Sequence, residues 1–159
     1  MHYFVSDCDN LVAADTIEFM VATGKPVVGP LLRGTSQNPY YFNFHASIDA
    51  NGYYVRDDRE DGWAHGKNLG LFEVPVIHTT YLVRSEALPH VTYNDGTGRY
   101  EYVIFSHGMR KAGIGQWLDN TRLNWGCVTM GETAADLRKD AGYVECVRHL
   151  RVGEPINDK

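Results

Sequence analysis

Short apolar runs alternate along the chain with polar, turn-rich stretches, and the spacing of the apolar positions predicts the elements. Residues 3–6 read as a strand. Ile17, Met20 and Val21 fall on one helical stripe and predict a short helix over 15–23. Asp15 and Glu18 give that helix a capping-box-like start, Gly24 gives it a stop, and Pro26 forbids continuation. "PVVGPLL" is then a continuous apolar run, as expected of a strand covered on both faces. The implied order is strand, helix, strand.

The middle of the chain, from about 34 to 72, is broken up by Gly, Asn, Pro and Asp. Within it, "DANG" predicts a turn between aromatic strands, and the charged "RDDREDGWAHGKN" reads as a solvated loop. "FEVPVIHTTYLV" predicts one long strand rich in β-branched residues, with His78 at its centre. A helix is expected over 100–112: Val103, Ile104 and His107 share a face, Arg110 and Lys111 suit its last turn, and Gly113 ends it. "GQWLD" predicts a short strand, and the tail from 131 predicts a helix in "ETAADLRKDAG", then a mixed segment with a polar end. The whole reads as an α/β protein.

Composition narrows the function classes. With 159 residues, 43% hydrophobic and 22% charged, the chain can bury a real core, and a single domain over 1–159 is expected. A net charge of -5 argues against a broad footprint for nucleic acid or anionic membrane. No run reaches the length of a membrane span, and "MHYFVSDCDN" lacks the features of a signal peptide. Cys8, Cys127 and Cys146 have no CxxC spacing, so neither a disulfide framework nor a zinc knuckle is expected, and a reducing, cytoplasmic setting fits. The aromatic clusters "NPYYFNFH" and "NGYYVRDD" fit either the lining of a sugar or base site or a satellite core under a loop.

The candidate chemistry starts at the end of the first strand, in Asp7-Cys8-Asp9-Asn10. Two aspartates one residue apart diverge on a continuing strand and converge on one ligand where the chain turns. A turn is expected, because Asn10 follows and a helix begins soon after. A few oxygen ligands on one side of a hard divalent ion, with the rest left to water and phosphate, suit Mg²⁺ or Mn²⁺ handling a nucleotide diphosphate. The same motif also caps helices and forms Asx-turns, and strand-Asp-x-Asp near an N-terminus suits an aspartyl phosphatase. The phosphatase chemistry wants a later lysine and a second acidic pair, and neither is evident in the sequence.

The stretches "SDCDN", "KPVVGPLL", "YYFNF", "NGYYVRDD", "FEVPVIHTTYLV" and "VIFSHGMRKAGI", in that order over roughly residues 2 to 126, resemble a known family. It is the procollagen galactosyltransferases and the glycosyltransferase domain of lysyl hydroxylases, of the GT-A fold. The resemblance implies a partial GT-A-like mixed sheet flanked by helices, forming the metal- and acceptor-binding part of that fold. It also implies transfer of a hexose from a nucleotide diphosphate sugar, such as a UDP-sugar, to a hydroxyl acceptor with Mn²⁺ or Mg²⁺. Asp9 would be a metal ligand and Asp7 a partner to metal or ribose. Asn43, His78 and the adjacent Thr79 would be substrate-binding residues, although a lone histidine in an apolar strand is commonly a satisfied core residue.

An Asp-Asp pair of the family falls on Tyr100 and Glu101, which leaves Glu101 either as the acceptor-activating base or as a solvated first-turn glutamate. Three departures qualify the resemblance. The family carries a nucleotide-binding half before its Asp-x-Asp, so another chain or segment would complete that surface here. Relatives have a metal-completing histidine after a "YG"-like step, whereas "NWGCVTMGETAADL" has none. Family cysteines correspond here to Ala46 and Leu71, in keeping with a reducing setting. A catalytically degenerate relative that binds a sugar, a nucleotide or a partner is the alternative these departures favour.

Overall fold

The computed structural model describes residues 1–122, 125–130 and 132–152. In chain order the elements are β1 (His2–Ser6), β2 (Asn10–Val12), α1 (Thr16–Ala22), β3 (Val27–Pro30), β4 (Arg33–Gly34), β5 (Phe44–His45) and α2 (Arg59–Ala64). There follow β6 (Leu71–Val74), β7 (Val76–Ile77), β8 (Thr80–Arg84), a 3₁₀ turn (Leu88–His90), α3 (Glu101–Lys111), β9 (Gln116–Asp119), β10 (Gly126–Val128), α4 (Ala134–Leu137) and α5 (Ala141–Val152).

The central sheet has five strands in the order β1-β8-β3-β9-β6, mixed because β3 and β9 run parallel while the other pairs are antiparallel. Side chains alternate across it with the period of the pleat. Val5, Val27, Tyr81, Val83 and Leu118 face the large core that takes in Phe105 and Met109 of α3. Phe4, Val28, Leu82 and Trp117 face the small core around Met20 of α1. Helices therefore cover both faces, and the protein is an α/β fold with a mixed sheet between them. This explains why "PVVGPLL" is apolar throughout: all four residues of β3 are buried. Two smaller sheets, β2-β10-β4 and β5-β7, extend this frame.

Several expectations need correction. The stretch "FEVPVIHTTYLV" is three strands, because Pro75 has no N–H to donate and Thr79 takes a left-handed backbone (φ 61°). It leaves β9 at one edge of the sheet and re-enters between β1 and β3, with β7 paired to β5 on the way. The "solvated" loop holds α2, whose Trp63 is buried and stacked on Phe72 at 4.6 Å. Asp15 does not cap α1 with its side chain; it accepts two hydrogen bonds from Arg122 at 3.1 and 2.8 Å, while Arg122 lies over the Phe19 ring. Of the α1 stripe, Met20 is fully buried and Ile17 is exposed, since a two-turn helix touches the sheet along one narrow line.

In α3 the buried set is Val103, Ile104, Phe105, Ser106 and Met109, which turns His107 outward rather than onto that face. Gly113 ends the helix as expected, with φ 71°. The tail is two helices rather than one followed by a mixed segment, because the Asp140 carboxylate accepts the Tyr143 N–H at 2.8 Å and starts α5 anew. Gly131 and the polar end from 153 to 159 lie outside the described residues. The "DANG" turn is present, with Asp49 accepting the N–H groups of Asn51 and Tyr53, but its flanks meet only in a single bridge between Ile48 and Tyr54.

Candidate functional site

The end of β1 is fixed by main-chain and hydroxyl contacts. Asp7 N–H donates to the Thr79 carbonyl at 2.9 Å, and Asn10 N–H closes a turn on the Asp7 carbonyl at 3.2 Å. Asn10 Nδ2 donates to Thr80 Oγ1 at 2.7 Å, and Ser6 Oγ lies 3.0 Å from the same hydroxyl. Beyond the turn, the Asp9 carbonyl accepts both the N–H (3.0 Å) and the hydroxyl (3.1 Å) of Thr129, just past β10. The chain thus does turn at Asp7-Cys8-Asp9. Because these bonds use backbone and neighbouring groups, they leave the two carboxylates for other work.

Asp7 lines a cavity of about 990 Å³ together with His78, Thr79 and Glu101. Partial burial raises the Asp7 carboxyl above its ordinary value, and the negative charges of Asp9 and Glu101 raise it further. Asp7 therefore senses both acids, although 94 residues separate it from Glu101 in the sequence; Asp9 sits beside it but is not among the residues that line the cavity. Among the described residues none of the three is salt-bridged. Tyr41, on the cavity wall, is pushed up to about 12 by burial and by the charges of Asp7 and Asp9. Glu101 is placed by α3, whose first residue it is, and Tyr100 is the exposed residue just before the helix.

The predicted substrate-binding residues separate into two groups. His78 and Thr79 line the cavity, whereas Asn43 does not: it is fully buried behind it. Asn43 Oδ1 accepts the Leu32 N–H at 2.8 Å, its Nδ2 donates to the Pro30 carbonyl at 2.8 Å, and its carbonyl accepts the His78 N–H at 2.9 Å. Asn43 thereby ties the end of β3 to the bend that presents His78. Thr79 combines a left-handed backbone, costly for a β-branched residue, with a buried hydroxyl that has no partner among the described residues. Such strain costs on the order of 1–3 kcal/mol and is kept where surrounding structure over-determines it. Thr79→Gly is expected to stabilise the protein by about 1 kcal/mol net of glycine's greater unfolded-state entropy, read as a higher urea midpoint at unchanged slope; a lowered midpoint would show that the bend carries no such cost.

Sequence reasoning did not single out His45, yet it is 8% exposed, lines the cavity and has a buried Nδ1 with no partner among the described residues. Its ring sits 5.3 Å from those of His78 and Tyr54 and 5.6 Å from that of Tyr102. Burial depresses His45 to about 4, and burial plus the neighbouring His45 depresses His78 to about 3, so both imidazoles are neutral at neutral pH. The only available signal was the aromatic cluster "NPYYFNFH". Phe44 of this cluster belongs to the core and also lines the cavity, together with Tyr41 and His45.

The cavity thus gathers aromatic rings, two neutral imidazoles and carboxylates in one lining. Residues 2–144 match the N-terminal domain of glycosyltransferase family 25, and the chain belongs to that family. Human procollagen galactosyltransferase 2 is 31% identical over 122 residues, covering 72% of this chain and 19% of that protein. Human inactive glycosyltransferase 25 family member 3 is 27% identical over 117 residues, covering 69% of this chain and 19% of its own length. Bovine procollagen-lysine,2-oxoglutarate 5-dioxygenase 1 is 31% identical over 88 residues, 55% of this chain and 12% of that protein. The chain therefore spans about a fifth or less of the length of these relatives.

Proposed function

We propose that the chain is the metal- and acceptor-binding part of a GT-A-like, divalent-metal-dependent glycosyltransferase that moves a hexose from a nucleotide diphosphate sugar to a hydroxyl. The observation that carries this reading is the meeting of Asp7 and Glu101 on the cavity lining, with Asp9 near enough for its negative charge to raise the Asp7 carboxyl. The donor set fits a hard ion: oxygens only, with buried and unpartnered Thr79 Oγ1 and Asn10 Oδ1 on the residues bonded to the turn. Asp9 and Asp7 would hold Mn²⁺ or Mg²⁺, which when bound neutralises charge on the leaving diphosphate. Among the described residues no set of three or more His, Cys, Asp or Glu forms a complete metal cage. The remaining positions would fall to water and phosphate, as is usual for these ions.

The protein's own contribution is positioning and proton handling. Glu101, on the rim, would accept the acceptor hydroxyl's proton. Tyr41, Tyr54 and Tyr102 offer flat faces and O–H groups to a sugar ring, and the neutral His45 and His78 form a floor that brings no charge toward the reacting centre. A further chain or segment would complete the surface for the nucleotide base and ribose. Purified protein incubated with a panel of UDP-sugars, with and without Mn²⁺, is expected to release UDP only with the metal. No metal-dependent UDP release or UDP binding under any condition would overturn the proposal.

A second reading, a catalytically silent relative that keeps the sugar cavity, is favoured by the single carboxylate at Glu101 where Tyr100 takes the neighbouring position. It predicts UDP or sugar binding without turnover, so the same assay run beside a binding titration separates the two. The phosphatase alternative needs a lysine at the site, and among the described residues no lysine lines the cavity.

A further inference from the structure

Cys127 lies in the middle of β10, with Leu11 of β2 as its register partner on one side and Arg33 of β4 on the other. Helix α5 packs on β10 and carries Cys146 close enough to Cys127 for the two thiols to shift each other's protonation. Cys127 is 4% exposed and Cys146 is half-buried, which gives one thiol shielded from solvent and one within reach of it. We propose that Cys127 and Cys146 form a reversible dithiol–disulfide centre that accepts low-molecular-weight disulfides as oxidant and, once oxidised, fastens α5 to the strand preceding the Asp9 anchor.

The asymmetry of the pair assigns the roles. Interaction with Cys127 lowers the Cys146 thiol from its ordinary value, burial opposes this, and the positive charge of Arg33 adds to the lowering. Interaction with Cys146 and burial raise Cys127, so it stays protonated. Cys146, its proton lost to solvent, attacks one sulfur of RS–SR, forming Cys146–S–SR and releasing RS⁻. The Cys127 sulfur then attacks the Cys146 sulfur and its proton passes to the departing thiolate, so the Cys127–Cys146 bond forms and RSH leaves. Two protein thiols are oxidised, and one disulfide is reduced to two thiols.

The consequence reaches the candidate site through the backbone. One residue beyond β10, Thr129 donates both its N–H and its hydroxyl to the Asp9 carbonyl, so bracing β10 braces the acidic turn. The exposed Cys8 sits inside that turn and would add a mixed disulfide of its own, so the test uses a Cys8→Ser chain. Equilibrated with glutathione disulfide, denatured and alkylated, this chain is expected to carry no alkyl group and no glutathione, and to regain two alkylatable thiols after dithiothreitol. In Cys8→Ser/Cys127→Ser the reaction should stop at a stable glutathione adduct on Cys146. The oxidised chain should also melt several degrees higher than the reduced one. Two persistently alkylatable thiols, or a lasting adduct with Cys127 still present, would overturn the pair. An oxidised form that melts no higher than the reduced one would overturn the fastening.

Discussion

Asparagine in place of Asp9 is expected to abolish Mn²⁺-dependent UDP binding while leaving the protein folded. The fold does not use the Asp9 carboxylate: the bonds that hold this residue run from Thr129 to its carbonyl, and asparagine preserves both that carbonyl and the side-chain shape. What changes is charge. At the proposed metal site, losing one of two anionic ligands of a hard cation would remove an interaction that an amide oxygen replaces poorly, with an expected loss on the order of 100-fold, or roughly 3 kcal/mol. In metal-free buffer the direction reverses. Asp9 is one of the charges that raise the Asp7 carboxyl, so neutralising it relieves repulsion, and the variant should melt at the same temperature as the parent or slightly above it. A calorimetric titration of UDP with and without Mn²⁺, beside a thermal melt, reads both effects. Unchanged metal-dependent binding in Asp9→Asn would remove the acidic turn from the metal site.

The parts of this fold that were legible in the sequence are those specified by neighbours along the chain. β1, α1, β3, α3 and β9 each carry their own period of apolar positions, and Gly113 punctuates them with a conformation that glycine adopts readily. The illegible parts depend on distant partners. β2 and β10 are three residues each and exist because Leu11 meets Cys127, 116 residues away in the sequence. α2 is hidden by its charges: Glu60 looks like a surface residue, yet its carboxylate accepts the Ala46 N–H at 3.1 Å and the Tyr54 O–H at 2.8 Å.

The break at Thr79 runs against local preference, since no propensity predicts a β-branched residue in the left-handed region. The same division holds at the site. The acidic turn was readable as a motif, and Glu101 only through family resemblance. His45, with its unpartnered nitrogen, could be found only once Tyr54, His78 and Tyr102 had been brought around it.

The paired imidazoles make acid the condition under which the protein should fail first. A histidine held neutral by burial binds its proton in the unfolded chain near the ordinary value of 6.5 but in the folded chain only near 4 for His45 and near 3 for His78. Between those limits unfolding takes up protons, so stability falls as the pH falls. The contribution is whole above about pH 6.5 and is lost progressively on the way down to 4 and then 3. Each pKa unit corresponds to about 1.4 kcal/mol, so the two groups together put several kcal/mol at stake in a fold whose total is of order 5–15.

The groups packed around the pair do not offset this. Tyr41, Tyr54 and Tyr102 present rings, and the Glu60 carboxylate is taken up by Tyr54 and Ala46. Urea unfolding at several pH values should show stability falling between pH 6 and pH 4 by up to about 1.4 kcal/mol per pH unit for each imidazole. His45→Phe should remove one proton's share of that slope. If the variant does not fold, proton NMR of the parent supplies the same test, because neither imidazole should titrate above pH 5. A histidine resonance from this pair moving with a midpoint near 6.5 would show that the cavity floor is open to water and the imidazoles are not held neutral.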